Sequence, residues 1–141
     1  MPTSPLTLEM VLPHRKPMLL IGEVLCFDEQ GAVTRSTADA QWPLGTSEGI
    51  SGLILIELVA QTAGVNNGLA LRKRNGGGHQ RGWIVGVKRA RLMIDRIAPG
   101  TQIVVATQNG FAYENFREVH GTVRIDNQTA AEITLQLMQA K

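Results

Sequence analysis

Glu57 and Gln61 stand one helical turn apart in a stretch, Glu48 to Gly68, that is otherwise largely apolar. At about 100° per residue, Gln61, Gly64 and Gly68 fall on the same stripe as Glu57, while Leu55, Ile56, Leu58, Val59 and Val65 occupy the rest of the cylinder. A helix apolar nearly all round belongs in a core. A carboxylate in the middle of such a helix loses its hydration, so it is paired, protonated or put to use. Two outcomes stay open on these residues alone. One is a structural Glu held by a backbone or side-chain partner; the other is acid or base chemistry in which Gln61 orients the carboxyl or a water.

Other chemistries have less to build on. Cys26, the one cysteine, excludes an internal disulfide and sits in VLCF, a setting for a buried inert thiol. His14, His79 and His120 show no metal-ligand spacing, and no metal or cofactor is expected. The glycine-rich loop NGGGHQ follows a helix rather than opening one, so it lacks the geometry for phosphate binding.

The elements that position Glu57 are readable in outline. With 141 residues, 43% hydrophobic and 18% charged, the chain suits one globular domain over 1–141. Its net charge of +2 makes no case for nucleic acid. LTLEMVL forms a helical turn or two before Pro13, and MLLIGEVLCFD with AVTRSTA reads as an antiparallel hairpin. Residues 39–50 carry a Pro and two Gly without period and read as a loop into the central helix. Ser51 is placed to cap that helix, Gly52 allows another group close to the backbone, and the helix runs to about Arg74. Four long strands follow, starting near Trp83, Thr101, Phe116 and Thr129. One long helix with an antiparallel sheet makes an α+β layer arrangement. The N-terminus lacks a secretory pattern and the helix is too polar at Glu57 and Gln61 for a membrane span, so the expected location is the cytoplasm.

Four segments carry a resemblance. LPHRKPMLLIGEVL (12–25), GLILIELVAQTAG (52–64), VKRARLMIDRIAPGTQI (87–103) and FREVHGTVRIDNQTAAEITLQL (116–137) occur in the order seen in the 3-hydroxyacyl-acyl-carrier-protein dehydratase family of hotdog proteins, which they resemble over nearly the whole chain. The resemblance implies a sheet wrapped around one long helix and a dimer, or a trimer of dimers, whose sites lie between subunits. It implies action on acyl thioesters of acyl carrier protein or coenzyme A in fatty acid, lipid or polyene biosynthesis. Glu57 then handles the β-hydroxyl with Gln61 beside it, in its protonated, donating form if burial is deep. The Gly52 amide polarises the thioester carbonyl, with Ser51 and Leu53 alongside in the substrate site.

One part is missing. The family's base is a histidine in the loop before the helix, and its usual spacing from Glu57 lands here on Pro43; Gln41 to Ile50 contains no histidine. Ser51 also stands where the family has a proline. Glu48 lies in the same loop and would serve only if the loop turned inward. The pattern resembles a divergent dehydratase-like branch, for which three readings stand: a dehydratase, alone or with a histidine-bearing homologue in a hetero-oligomer; a hotdog thioesterase using Glu57; or a non-catalytic acyl-binding subunit. Arg15, Lys16, Lys88, Arg89 and Arg91 are candidates for meeting an acidic carrier protein.

Overall fold

A computed structural model describes residues 18–75 and 82–139, with side chains over 18–65 and 84–138. The expected N-terminal turn, the motif containing His14, Arg15 and Lys16, and the loop with His79 lie outside the described residues, as do the side chains of Arg72 to Arg74.

The elements in chain order are β1 (Glu23–Phe27), β2 (Gly31–Thr37), β3 (Gly45–Thr46), β4 (Gly49–Ser51), α1 (Ile54–Asn75), β5 (Gly82–Leu92), β6 (Arg96–Ile97), β7 (Gln102–Tyr113), β8 (Phe116–Ile125) and β9 (Gln128–Gln139). Six strands form one antiparallel sheet in the order β1-β2-β7-β8-β9-β5. The three short strands form a second sheet, β3-β4-β6. Among the described residues no helix is long and apolar enough to cross a membrane.

Alternation builds the large sheet. In β8, Val119, Gly121 and Val123 are buried while His120 and Arg124 face out; in β9, Ala131, Ile133, Leu135 and Leu137 are buried. β8 turns into β9 through Asp126 and Asn127, both at positive φ, as a two-residue hairpin loop requires. The buried face receives α1 through Leu55, Leu58, Val59 and Val65, each fully buried side chain stabilising the fold by about 1.5–3 kcal/mol. Contact is close at Gly121, where an added Cβ would stand 2.5 Å from Val59 Cγ1. Thr62 in this layer donates to the Leu58 carbonyl at 2.8 Å, so Thr34 donates the proton it shares with Thr62 at 2.9 Å, whereas the Ser36 hydroxyl, buried on the same face of β2, has no partner among the described residues.

The hairpin, the long helix and the four long strands lie where the pattern predicts them. Two expectations need correction. Residues 39–50 are not a plain loop, because Gly45, Thr46 and Gly49–Ser51 pair with each other and with Arg96 and Ile97. The helix starts at Ile54, later than a cap at Ser51 implies, because Ser51 is held in β4, with its amide donated to the Leu44 carbonyl at 3.1 Å. Glu57 therefore sits in the first turn of α1, not in its middle.

Candidate functional site

Leu53, Glu57 and Gln61 repeat at four-residue spacing and share one face at the start of α1. Along this stripe exposure falls from Leu53, 56% exposed, through half-buried Glu57 to fully buried Gln61. The acid thus lies at a boundary between solvent and core, less deeply than its apolar neighbours in sequence suggest. In the first turn of a helix the macrodipole favours a negative charge.

Gln61 fixes the inner end. Its Oε1 accepts from the Leu20 amide at 2.9 Å, which assigns the orientation of the side-chain amide, since a backbone N–H only donates. The Nε2 then donates to the Met18 carbonyl at 2.6 Å and to Glu57 Oε1 at 3.1 Å. The structure therefore brings Glu57 and Gln61 together as the spacing predicts. It adds something that spacing could not show: the segment Met18–Leu20 is stapled to the helix by the same amide that orients the acid.

The residues before the helix are arranged differently from expectation. The Gly52 amide donates to the Asp95 carbonyl at 2.7 Å, so it is engaged within the fold. Close approach at Gly52 is real, but the approaching group is the neighbouring backbone: an added Cβ would meet the Ile94 carbonyl oxygen at 2.5 Å. Ser51 Oγ accepts from the Leu53 amide at 3.3 Å, a weak cap just ahead of the helix. The Ile54 amide has no acceptor among the described residues. At the helix start the Gly52 and Leu53 amides are thus both taken up within the fold, which leaves the amide of Ile54.

The loop where a base would lie is tied down and without histidine. Trp42 is buried and Pro43 half-buried. Glu48 faces solvent and pairs with Arg96 at 3.3 Å, so the loop does not turn it inward. His120 is exposed on β8, its Nδ1 3.1 Å from Thr134 Oγ1, on the sheet face opposite α1. Lys88 pairs with Glu118 at 3.2 Å and Arg91 with Glu132 at 3.5 Å, while Arg89 is exposed nearby. Cys26 is half-buried on β1.

A long helix against one face of an antiparallel sheet, with an acid at the start of that helix, is the hotdog fold, and solved hotdog structures match it. The chain is similar to a chain of the ApeI:P dehydratase heterocomplex from Xenorhabdus doucetiae, with a TM-score of 0.86 and 20% identity over 96% of this chain and 92% of that one. It is also similar to the Escherichia coli PaaI protein of the phenylacetic acid degradation operon, with a TM-score of 0.62, 15% identity, and 82% and 80% covered. A hypothetical thioesterase protein from Streptococcus pneumoniae, solved with coenzyme A, matches at a TM-score of 0.65 and 10% identity, with 84% of each chain covered. At these identities the likeness speaks for the fold. The family is given by sequence: the model for ApeP-like dehydratases matches residues 6–141, and the chain belongs to that family. No curated protein matches the chain by sequence.

Proposed function

We propose that this chain is the carboxylate-bearing subunit of a dehydratase that converts 3-hydroxyacyl thioesters, carried by acyl carrier protein or coenzyme A, into trans-2-enoyl thioesters. The observation that carries the reading is the geometry of Glu57, half-buried in the first turn of α1 and oriented by the buried Gln61 amide at 3.1 Å. The membership in a dehydratase family supports it.

In the reaction a base removes the α-proton, and the electron pair moves toward the thioester carbonyl. An amide at the start of α1 meets the charge that develops on that oxygen. With Gly52 engaged by Asp95 and Leu53 by Ser51 Oγ, the amide of Ile54 takes this role. The carboxyl of Glu57 donates a proton to the β-hydroxyl, the C–O bond breaks, and water leaves. Glu57 is left as a carboxylate in the first turn, where the helix dipole favours it.

The base comes from a second chain. No histidine occurs between Gln41 and Ile50, and the one carboxylate of that loop beyond its start, Glu48, is paired outward with Arg96. A histidine-bearing hotdog homologue packed against the helix start supplies the missing group. The ApeI:P complex, whose fold this chain shares, is a dehydratase heterocomplex.

The test is product analysis. The protein is incubated with a 3-hydroxyacyl thioester, alone and with a histidine-bearing homologue. Enoyl thioester formed only by the pair is the expected result. Free acid from the protein alone would instead establish a thioesterase. No product from either mixture, with acyl ligand still bound, would leave an acyl-binding subunit.

A further inference from the structure

The face of the large sheet turned away from α1 carries more cations than its carboxylates pair. Residues directly opposite each other on neighbouring strands share a face. Two such rows cross β8, β9 and β5: His120, Thr134 and Arg89 in one, Thr122, Glu132 and Arg91 in the next. All six point away from the side that buries Ile133 and Leu135, and they line an open cleft of about 190 Å³.

A bulge in β5 makes this arrangement. Val87 faces Leu135 and Arg89 faces Thr134, so Lys88 is an extra residue on β5. Without it, alternation would turn Arg89 and Arg91 to the side of the sheet that carries α1. With it, Lys88 reaches Glu118 at 3.2 Å, while Arg89 and Arg91 open onto the cleft. On β7, Gly110 keeps space for the imidazole, since an added Cβ there would stand 2.7 Å from His120 Nε2.

The charges on this face do not cancel. Lys88 takes Glu118, and Arg91 takes Glu132 at 3.5 Å. The Arg89 side chain has no hydrogen bond or ion pair among the described residues. Arg124, which faces out two residues beyond Thr122, has none there either and adds to the positive field. Hydroxyl donors stand beside these cations. Thr134 Oγ1 lies 3.1 Å from His120 Nδ1; with the ring proton on Nδ1, Thr134 accepts from it and directs its own proton into the cleft. The Thr122 side chain makes no hydrogen bond among the described residues.

A guanidinium fork flanked by hydroxyl donors matches a tetrahedral oxyanion, which accepts from several directions at once. A cleft of this volume takes one small anion, whereas a protein interface spreads over about 20–30 residues a side. Glu132 is the one carboxylate lining the cleft; it holds Arg91 and opposes an incoming negative charge.

We propose that this cleft binds a phosphate group, as free phosphate or as a small phosphate monoester, with Arg89 as its principal ligand and Arg91, Thr122 and Thr134 completing the set. The site is separate from Glu57, because α1 lies on the other face of the sheet, and it does not rest on the dehydratase reading. Its test follows the His120 imidazole signals by NMR in the full-length protein. Inorganic phosphate, glycerol 3-phosphate and acetate are titrated in turn at constant pH and ionic strength, so that screening alone moves nothing. Both phosphates shift the signals saturably and acetate does not. Tighter binding of glycerol 3-phosphate identifies an ester as the ligand, and tighter binding of inorganic phosphate the free ion. Arg89→Gln weakens phosphate binding about tenfold. Glu132→Gln strengthens it several-fold, because the opposing charge is gone and Arg91 is released. Glu57→Gln binds phosphate as the wild type does.

No saturable shift with either phosphate, an equal response to acetate, or wild-type affinity in a folded Arg89→Gln protein would each overturn the proposal. Weaker binding in Glu132→Gln would overturn it too, by making that carboxylate a support of the ligand. Loss of binding in Glu57→Gln would place the anion at the helix start instead.

Discussion

Gln61 shows how one buried side chain serves both fold and site. Its three hydrogen bonds leave neither end of the amide unmatched, and two of them go to backbone atoms 41 and 43 residues away in sequence. Replacing it by leucine keeps the volume but strands the Leu20 amide and the Met18 carbonyl, each at a cost of about 1–3 kcal/mol. Gln61→Leu should therefore lower stability by roughly 2–4 kcal/mol in urea unfolding, with faster hydrogen exchange at Leu20. Wild-type exchange at Leu20 would contradict the staple. The Glu57–Gln61 pair was legible in the sequence because four-residue spacing on a helix is a local rule. The partners of Gln61 were not, because nothing local ties residue 61 to residues 18 and 20. Glu57 itself is less buried than its sequence neighbours imply, since the helix begins only three residues before it and the first turn stands near solvent.

At the scale of elements, the site depends on where α1 starts and how closely it lies on the sheet. Gly121 sets the second quantity. Gly121→Ala places a methyl group within 2.5 Å of Val59 Cγ1, and the overpacking should cost about 1–3 kcal/mol, read as a lower melting temperature. Pairing it with Val59→Ala should recover part of the loss; failure to recover any would show that the conflict lies elsewhere. Gly52→Ala should be harder to rescue, because the group it meets is the Ile94 carbonyl, a backbone atom that no substitution removes. The long strands and the helix were legible because alternation and a sustained apolar run are strong signals over ten residues. The strands β3, β4 and β6 were not, since two or three residues carry no period and Gly49 reads as a loop residue. The helix start was misplaced because Ser51-Gly52 looks like a cap, while the competing bonds to Leu44 and Asp95 are tertiary.

For the molecule as a whole, the open question is what covers β5. This strand of 11 residues lies at the edge of the large sheet, and Ile84, Val85 and Val87 on it are exposed. Natural edges are short, charged or covered, and here the charges Lys88, Arg89 and Arg91 protect only the second half. We expect another hotdog chain to pair along the first half, completing a dimer at least. Val85→Lys should shift the protein to a smaller species in sedimentation while its circular dichroism stays unchanged; an unshifted boundary would place the interface elsewhere. Reversing Lys88, Arg89 and Arg91 to glutamate should weaken binding of an acidic carrier protein, with a shallower salt dependence than the wild type.

In the proposed dehydration Glu57 is the proton donor of a site shared between two chains. Its most direct test is Glu57→Gln in the assembled complex, with the rate of enoyl thioester formation and the mass of the complex measured on the same sample. The expected result is an intact complex whose turnover falls by at least about 100-fold. Turnover at the wild-type rate in an intact Glu57→Gln complex would contradict it.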